Sequence, residues 1–272
     1  MLLFRVLGPI QVYDATGSAL PMGARKLRML LALLLARPGD RVTTGQLIDA
    51  LWDGRPPRSA TANLQTYVWE LRRRLPATRL GRPRVERDHQ GYRLLLEDDE
   101  LDARTFTELA TVGRQAVATG DPAEGVATLT AALGLWRGRP YEDVAPAAAQ
   151  EAQRLLELRQ LAHEDLLEAR LRLGQHRDVI DDLREMTTAE PLRERPWELL
   201  MLALHRSGRR AEALLAYQHV YRLLDAELGI QPGHAVRELH RRMLADDPTL
   251  DCSASPELTA VVASQPMVRL SG

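Results

Sequence analysis

The chain has 272 residues, enough for two domains at roughly 150 residues each. Its 36 basic and 37 acidic residues nearly cancel, but residues 1–96 hold 16 Lys and Arg against 7 Asp and Glu, whereas residues 97–272 hold 20 against 30. This segregation predicts a polyanion as the partner of the basic half, and nucleic acid is the first candidate.

Several classes of protein are excluded by what the composition lacks. The single cysteine, Cys252, cannot form a disulfide framework or a cysteine-based metal cluster. The single lysine, Lys26, is followed by leucine, so a phosphate-binding loop of the G-x-x-x-x-G-K-[ST] type is absent. No H-E-x-x-H or G-x-S-x-G motif occurs. We therefore expect no enzyme, no cofactor and no metal site.

The apolar segments are too short or too interrupted for membrane targeting. Arg5 and Pro9 break the N-terminal stretch, which therefore lacks the apolar run of a signal peptide. Residues 29–36 are purely apolar but span only eight positions, whereas a membrane helix needs about 20. We expect a cytoplasmic protein that does not contact a membrane.

The first elements in chain order are short strands followed by two helices. Residues 2–7 and 10–13 favour β-structure, and residues 14–17 form a turn. A helix then ends at Pro38, and its leucine stripe faces the core while Arg25 and Arg28 lie opposite; the stripe is Leu27, Leu30, Leu31 and Leu34. Thr43 and Gln46 form a capping box that starts the second helix, with inward residues Leu47, Ile48, Leu51 and Trp52.

The third helix, within residues 59–75, combines an apolar stripe with three consecutive arginines. Ser59 is its expected N-cap. Helical spacing places one set of side chains inward, namely Leu64, Val68, Leu71 and Leu75. It places another set on or near the opposite face, namely Arg58, Ala62, Asn63, Thr66, Trp69, Glu70 and Arg73, with Arg72 and Arg74 on the flanks.

A β-hairpin follows the three helices, with strands at residues 85–87 and 92–96 and a turn between them. Helix, helix, helix and hairpin is the order of a winged helix, whose third helix can read base edges in the major groove while the wing reaches the backbone. The base-edge candidates are Asn63, Thr66, Trp69, Glu70 and Arg73. The phosphate or wing candidates are Arg25, Arg28, Thr43, Arg58, Arg72, Arg87, His89 and Arg93.

Two features of the third helix allow alternatives. The arginine run 72–74 is explained equally by simple solvation of an exposed face. The positive charge, the helix order and the basic wing together favour DNA binding. Trp69 packs either on a sugar or thymine methyl of bound DNA, or against the wing.

From Leu101 onward the sequence has helical periodicity and contains a repeat. Gly174 and Gly208 stand 34 residues apart in similar segments, which is the tetratricopeptide period. The second copy is read as Trp197, Leu200, Leu204, Gly208, Ala213 and Tyr217; the weaker first copy as Leu166, Gly174, Val179, Leu183 and Pro191. A similar turn at Gly120 is out of period. Such repeats bind proteins at their concave surface, or here only dimerise or brace the basic half.

We therefore divide the chain into a winged helix at residues 1–97, a tetratricopeptide-like helical domain at 98–246 and a disordered tail at 247–272. The tail lacks periodicity and mixes proline, serine and alanine. The fold class is mainly α, with an N-terminal α+β part.

The arrangement resembles the Streptomyces antibiotic regulatory protein family, over about residues 2–245. In the basic half the resemblance rests on VLGP at 6–9, RKLRMLLALLL at 25–35, LIDALW at 47–52, PPRSA at 56–60, LQTYV at 64–68, LRRRL at 71–75 and GYRL at 91–94. In the acidic half it rests on LDARTF at 101–106, WRGRPY at 136–141 and AELGIQP at 226–232. Where Trp69 and Glu70 stand, relatives tend to have a small polar residue, which makes Glu70 a cytosine reader or a repulsive, specificity-setting charge.

This resemblance implies a response-regulator-type winged helix joined to a bacterial transcriptional activation domain. It also implies cooperative binding to direct repeats of double-stranded DNA, as a homodimer or higher assembly, contact with RNA polymerase holoenzyme, and activation of a gene cluster for a secondary metabolite. The rival hypothesis is a repeat-scaffold adaptor whose basic half binds a protein or RNA. A steep salt dependence of promoter binding distinguishes the two.

Overall fold

The computed structural model describes residues 2–251, with the side chains of residues 145 and 146 left out. The chain forms two compact units, of which the first ends at Asp165 and the second begins at Leu166. Residues 98–165 thus belong to the same compact unit as the winged helix. The division predicted at residue 97 stays a prediction.

The first unit starts with a two-stranded antiparallel sheet, in which β1 (Leu3–Arg5) pairs with β2 (Gln11–Tyr13). Phe4 and Val12 face each other and are both buried, as expected for the alternating apolar positions of a half-buried hairpin. Phe4 also forms a parallel bridge with Leu101. The N-terminal strand is therefore tied to the chain that follows the wing.

Three helices and a three-stranded sheet confirm the predicted winged helix. The helices are α1 (Arg25–Leu35), α2 (Thr44–Trp52) and α3 (Ala60–Arg74). The strands are β3 (Val42–Thr43), β4 (Val85–Arg87) and β5 (Gly91–Leu94), in the antiparallel order β3-β5-β4. The four leucines predicted to line α1 are buried. Strand β3 was missed because two residues carry too little pattern to be recognised.

The ends of the predicted helices agree only in part with the sequence. Thr43 caps α2: its hydroxyl accepts the Gln46 N–H at 3.2 Å, and the Gln46 side chain reaches back to the Thr43 N–H at 3.0 Å. Ser59 precedes α3, but its hydroxyl does not cap the helix and instead accepts from the Asn63 amide at 3.2 Å. Ile48 and Trp52, both predicted to face inward, are half-buried rather than buried, and the Trp52 ring stacks on Tyr67 with 6.4 Å between ring centroids.

Every element that the structure describes after Leu101 is helical. The first unit continues with α4 (Asp102–Thr119), α5 (Pro122–Leu133), a 3₁₀ helix (Glu142–Ala148) and the start of α6 (Ala149–Arg172). The second unit contains the end of α6, then α7 (Ile180–Ala189), α8 (Glu194–Arg206), α9 (Arg210–Leu228) and α10 (His234–Leu244).

Helical hairpins form at the two glycine turns of the repeat and at the similar turn that is out of period. Gly120, Gly174 and Gly208 have φ of 93°, 81° and 77°, the left-handed geometry that ends a helix at glycine. Most of the non-glycine positions read from the two repeat copies are buried, namely Leu166, Val179, Leu183, Trp197, Leu200, Leu204 and Ala213. Tyr217 is half-buried and Pro191 is exposed. The predicted tetratricopeptide-like hairpins are confirmed.

The predicted disordered tail begins too early. A short 3₁₀ helix covers Pro248–Leu250, the Asp247 carboxylate accepts the Thr249 N–H at 2.9 Å, and Leu250 is buried in the core of the second unit. The prediction is therefore wrong for residues 247–251. The remainder of the predicted tail, including Cys252, lies outside the described residues. Within the described chain, we find no helix with the length and apolarity needed to cross a bilayer.

Candidate DNA-binding surface

The inward face of α3 fixes which side chains point outward. Leu64, Val68, Leu71 and Leu75 are all buried, as predicted, and Ala60 joins them one turn earlier. Because an α-helix has 3.6 residues per turn, burial of this stripe turns the opposite face away from the core. The orientation of α3 thus follows from apolar burial.

The outward face contains the predicted base-edge candidates. Thr66 and Arg73 are exposed, whereas Asn63 and Glu70 are half-buried. The Thr66 hydroxyl donates to the Ala62 carbonyl at 3.1 Å, a local bond that can be exchanged for one to a ligand. Gln65, which the sequence reasoning did not select, is exposed on the same side of the helix. Thr66, Trp69 and Arg73 share one continuous face.

Trp69 is 58% exposed, which is unusual for an indole. The Arg73 guanidinium carbon lies 5.2 Å from the centroid of its ring, within the range of a cation–π interaction. More than half of the indole surface is therefore open to solvent and accessible to a ligand.

The three arginines at the end of α3 have different surroundings. Arg72 Nε donates to the Val85 carbonyl of β4 at 2.9 Å. Arg74 donates to the Pro21 carbonyl at 2.7 Å and to Glu70 Oε2 at 3.3 Å. The Glu70 carboxylate thus has a cationic partner on its own helix, which reduces the charge it presents to a ligand.

The wing presents exposed basic side chains at its tip, whereas the arginine on its flank is paired with a carboxylate. Arg87 and His89 are exposed, and the Arg87 guanidinium lies 5.8 Å from the Tyr92 ring centroid. Arg93 donates to Glu86 Oε2 at 2.8 Å and 2.6 Å, and these bonds hold the pKa of the Glu86 carboxyl below its usual value. Glu86 thus neutralises part of the charge that Arg93 presents to a phosphate.

The remaining phosphate candidates divide in the same way. Arg25 and Arg58 are exposed, and Thr43 is exposed at the N-terminus of α2. Arg28 is half-buried and pairs with Asp143, with 2.7 Å between Nε and Oδ2. Arg25, Arg58 and Arg87 are thus exposed, whereas Arg28, Arg72 and Arg93 each use part of the guanidinium group in a bond within the protein.

Arg41 was missed by the sequence reasoning. It lies directly before β3, and its Nε is 2.5 Å from Asp88 Oδ2 while its Nη1 donates to the Gln90 side chain at 2.9 Å. Arg41 thus braces the turn of the wing. The sequence around Arg41 carries no local signal for this role, because its partners lie far away along the chain.

No metal centre accompanies this surface among residues 2–251, where no three His, Cys, Asp or Glu residues are grouped to hold an ion. The surface offers hydrogen-bond donors, cations and one exposed aromatic ring. This chemistry suits recognition of a polyanion with readable base edges.

Comparison with known proteins connects this surface to transcription. Residues 101–244 match the family described as the bacterial transcriptional activator domain, and residues 21–94 match the one described as transcriptional regulatory protein, C terminal. Both matches lie within the described residues and together leave little of the described chain uncovered.

Similar proteins include one regulator that matches this chain over nearly its whole length and another of which only a part matches. The regulatory protein DnrI of Streptomyces peucetius is 34% identical over 266 residues, which cover 95% of this chain and 97% of DnrI. The regulatory protein AfsR of Streptomyces coelicolor is 40% identical over 269 residues, or 97% of this chain and 26% of AfsR. The chain therefore spans about a quarter of the length of AfsR.

A solved structure is also similar, the one described as Mycobacterium tuberculosis EmbR in complex with low affinity phosphopeptide. Its TM-score is 0.82 at 33% identity, over 96% of this chain and 71% of that one. Because the family match covers more than half of the chain and DnrI corresponds to it over nearly its whole length, the chain belongs to the Streptomyces antibiotic regulatory protein family.

Proposed function

We propose that this protein is a sequence-specific, double-stranded-DNA-binding transcriptional activator. In this proposal α3 lies in the major groove, with the tip of the wing on the flanking backbone. The observation that carries the proposal is the outward face of α3, where Thr66, Trp69 and Arg73 are presented together by a helix whose opposite face is buried. A groove about 12 Å wide admits such a helix.

The charge distribution supports duplex DNA as the ligand. Residues 1–96 hold 16 basic against 7 acidic residues, and Arg25, Arg58 and Arg87 are exposed around α3. Such cations bind phosphates and release counterions, which gives affinity without sequence preference. Base-edge contacts from α3 then supply the preference. Double-stranded RNA is a poorer ligand because its deep, narrow major groove excludes a helix.

The helical part is proposed to position partners. Residues 101–244 match the family described as the bacterial transcriptional activator domain, which supports this role. We propose that it contacts RNA polymerase holoenzyme, and that two or more copies assemble on direct repeats near a promoter. The controlled genes are proposed to form a secondary-metabolite cluster. The protein is proposed to act in the cytoplasm.

Salt titration tests the proposal directly. Binding to a duplex from the promoter of the neighbouring genes should weaken with a slope of log K against log [salt] of about −0.9 per neutralised phosphate. The preference over a scrambled duplex should reach at least ~10³. Arg87→Ala should make the slope shallower by about one phosphate. Arg222→Ala, which changes an exposed arginine of α9, should leave the slope unchanged.

A flat slope with no preference between the two duplexes would instead favour the adaptor hypothesis, in which the basic half binds a protein. An equally steep slope on both duplexes would reduce the protein to a non-specific DNA binder. Either result contradicts sequence-specific activation.

A further inference from the structure

The three consecutive arginines of α3 differ in what their guanidinium groups contact within the protein. The Arg72 guanidinium is bonded to the backbone of β4 and the Arg74 guanidinium to the backbone at Pro21. Both side chains therefore fix α3 against its own fold, one on each flank. Arg73 lies between them on the outward face and is exposed.

Trp69 holds Arg73 in a defined place. The two residues are one helical turn apart, and the guanidinium carbon lies 5.2 Å from the ring centroid. A guanidinium over an aromatic face gains from the ring quadrupole and gives up part of its rotamer freedom before any ligand arrives. The exposed indole, which costs solubility and contributes little to the core, is explained by this positioning.

Glu70 does not compete for Arg73. Glu70 is three residues from Arg73 and four from Arg74, so both arginines are within reach on a helix. The Glu70 carboxylate is bonded to Arg74 at 3.3 Å. The Glu70 charge is thereby paired with Arg74, and the guanidinium N–H groups of Arg73 can donate to a ligand.

The chemistry of this pair selects a particular base step. A planar guanidinium matches two acceptors side by side, and in the major groove guanine presents them as O6 and N7. The indole beside it is apolar and fits the methyl group of a neighbouring thymine. A phosphate would also accept two hydrogen bonds from the guanidinium, but it would give no preference among bases.

We infer that Trp69 is a positioning residue for Arg73, and that the pair reads a guanine next to a thymine, while Arg72 and Arg74 take no part in reading bases. This inference rests on the proposed function, because it assigns the base read by the same surface. It makes the Trp69–Arg73 pair the base-reading unit, and it removes Glu70 from the residues proposed to read bases.

The test measures base preference position by position with the full chain. An operator is selected from a random duplex pool, and each base pair is then replaced in turn for wild type, Arg73→Ala, Trp69→Ala and Trp69→Phe. Wild type should prefer guanine at one position by about 5- to 150-fold. Arg73→Ala should abolish that preference and leave the other positions unchanged.

Trp69→Ala should reduce the same guanine preference and the neighbouring thymine preference, whereas Trp69→Phe should retain part of both. A purely structural role of Trp69 would lower affinity at all positions equally, as Arg87→Ala on the wing is expected to do. Both α3 residues are exposed, so unchanged circular dichroism and melting temperature serve as the folding control.

The inference is overturned if Trp69→Ala leaves the guanine preference intact, or if Arg73→Ala changes no single position selectively. Selection of no consensus by the wild-type protein is a different result, because it contradicts the proposed function itself. The two failures are therefore distinguishable in one set of measurements.

Discussion

A buried ion pair ties the wing to the beginning of the helical region. Arg84 and Glu100 are 3% and 0% exposed, and Arg84 Nη2 donates to Glu100 Oε1 at 2.8 Å. The remaining hydrogen-bonding groups are also satisfied: Arg84 donates to the Pro76 carbonyl at 3.1 Å, and Glu100 accepts the Glu97 N–H at 2.8 Å. Removal of either charge would leave the other buried without its partner.

Glu100→Gln should therefore destabilise the protein by about 3 kcal/mol, at the lower end for a broken buried pair because glutamine keeps one acceptor. The free energy of unfolding in urea measures this loss. The matched control is Arg79→Gln, which breaks the 3.0 Å pair of the exposed Arg79 with the half-buried Glu97 and should cost about 1 kcal/mol or less, because the arginine stays solvated. Equal stability of the two variants would contradict a structural role for the buried pair.

At the residue scale, local patterns were predictable and distant pairings were not. The capping box of Thr43 and the buried stripe of α3 follow from spacing within one helix. The partner of Arg28, by contrast, depends on which elements the fold brings together, because Arg28 pairs with Asp143, 115 residues away. The spacing of residues along the chain therefore does not show which arginines form bonds within the protein, and the predicted phosphate contacts stay a prediction.

Among the elements, the wing depends on close contact between β3 and β5. Gly91 pairs with Thr43, and a Cβ added at Gly91 would lie 2.2 Å from the Val42 carbonyl oxygen and 2.8 Å from the Thr43 Cα. These atoms are backbone and cannot rotate away. The glycine is thus required by proximity rather than by its φ angle.

Gly91→Ala should separate β3 from β5, with a cost of about 1–3 kcal/mol for the overpacking. It should also weaken DNA binding, because Arg87 and His89 are carried by the displaced hairpin. Thermal unfolding and duplex binding measure the two effects. Gly45→Ala is the control, since a Cβ there meets nothing within 4 Å and alanine favours the helix. If Gly91→Ala and Gly45→Ala had the same melting temperature and the same affinity for the duplex, this close packing of β3 and β5 would be contradicted.

Elements that recur as a repeat could be predicted from the sequence, whereas an irregular element without a repeated pattern could not. The 34-residue repeat predicts the hairpin of α8 and α9, because the glycine turn and the apolar positions recur in the sequence. The 3₁₀ helix Glu142–Ala148 has no such signal, and Tyr141 before it adopts φ of 54° while fully buried. That geometry is imposed by packing and leaves no local pattern.

For the whole molecule, the net charge of −1 conceals the feature that matters for binding. The basic residues are concentrated in the part that contains α3 and the wing, and the acidic residues in the helical part. The segregation was readable from the sequence. The extent of the first compact unit was not, because it arises from long-range contacts: the Asp102 carboxylate accepts the Val6 N–H at 2.8 Å and the Leu7 N–H at 3.2 Å.

These contacts affect the electrostatics of the first unit. Burial raises the pKa of the Asp102 carboxyl, while the two backbone N–H groups and Arg137 act in the opposite direction. Arg137 Nη2 lies 3.1 Å from Asp102 Oδ2. The N-terminal strand, α4 and the segment before the 3₁₀ helix thus meet at one carboxylate.

The central proposal is that the outward face of α3 lies against duplex DNA, and thiol protection tests it most directly. Ala62→Cys, in a Cys252→Ser background, places one reactive thiol on that face, and the measured quantity is its rate of alkylation with and without the selected operator. Saturating operator should reduce this rate to a small fraction of the free value. Val112→Cys, at an exposed position of α4 and in the same background, should be alkylated at the same rate with and without the operator. Alkylation at position 62 that is unchanged by saturating operator would contradict the proposal.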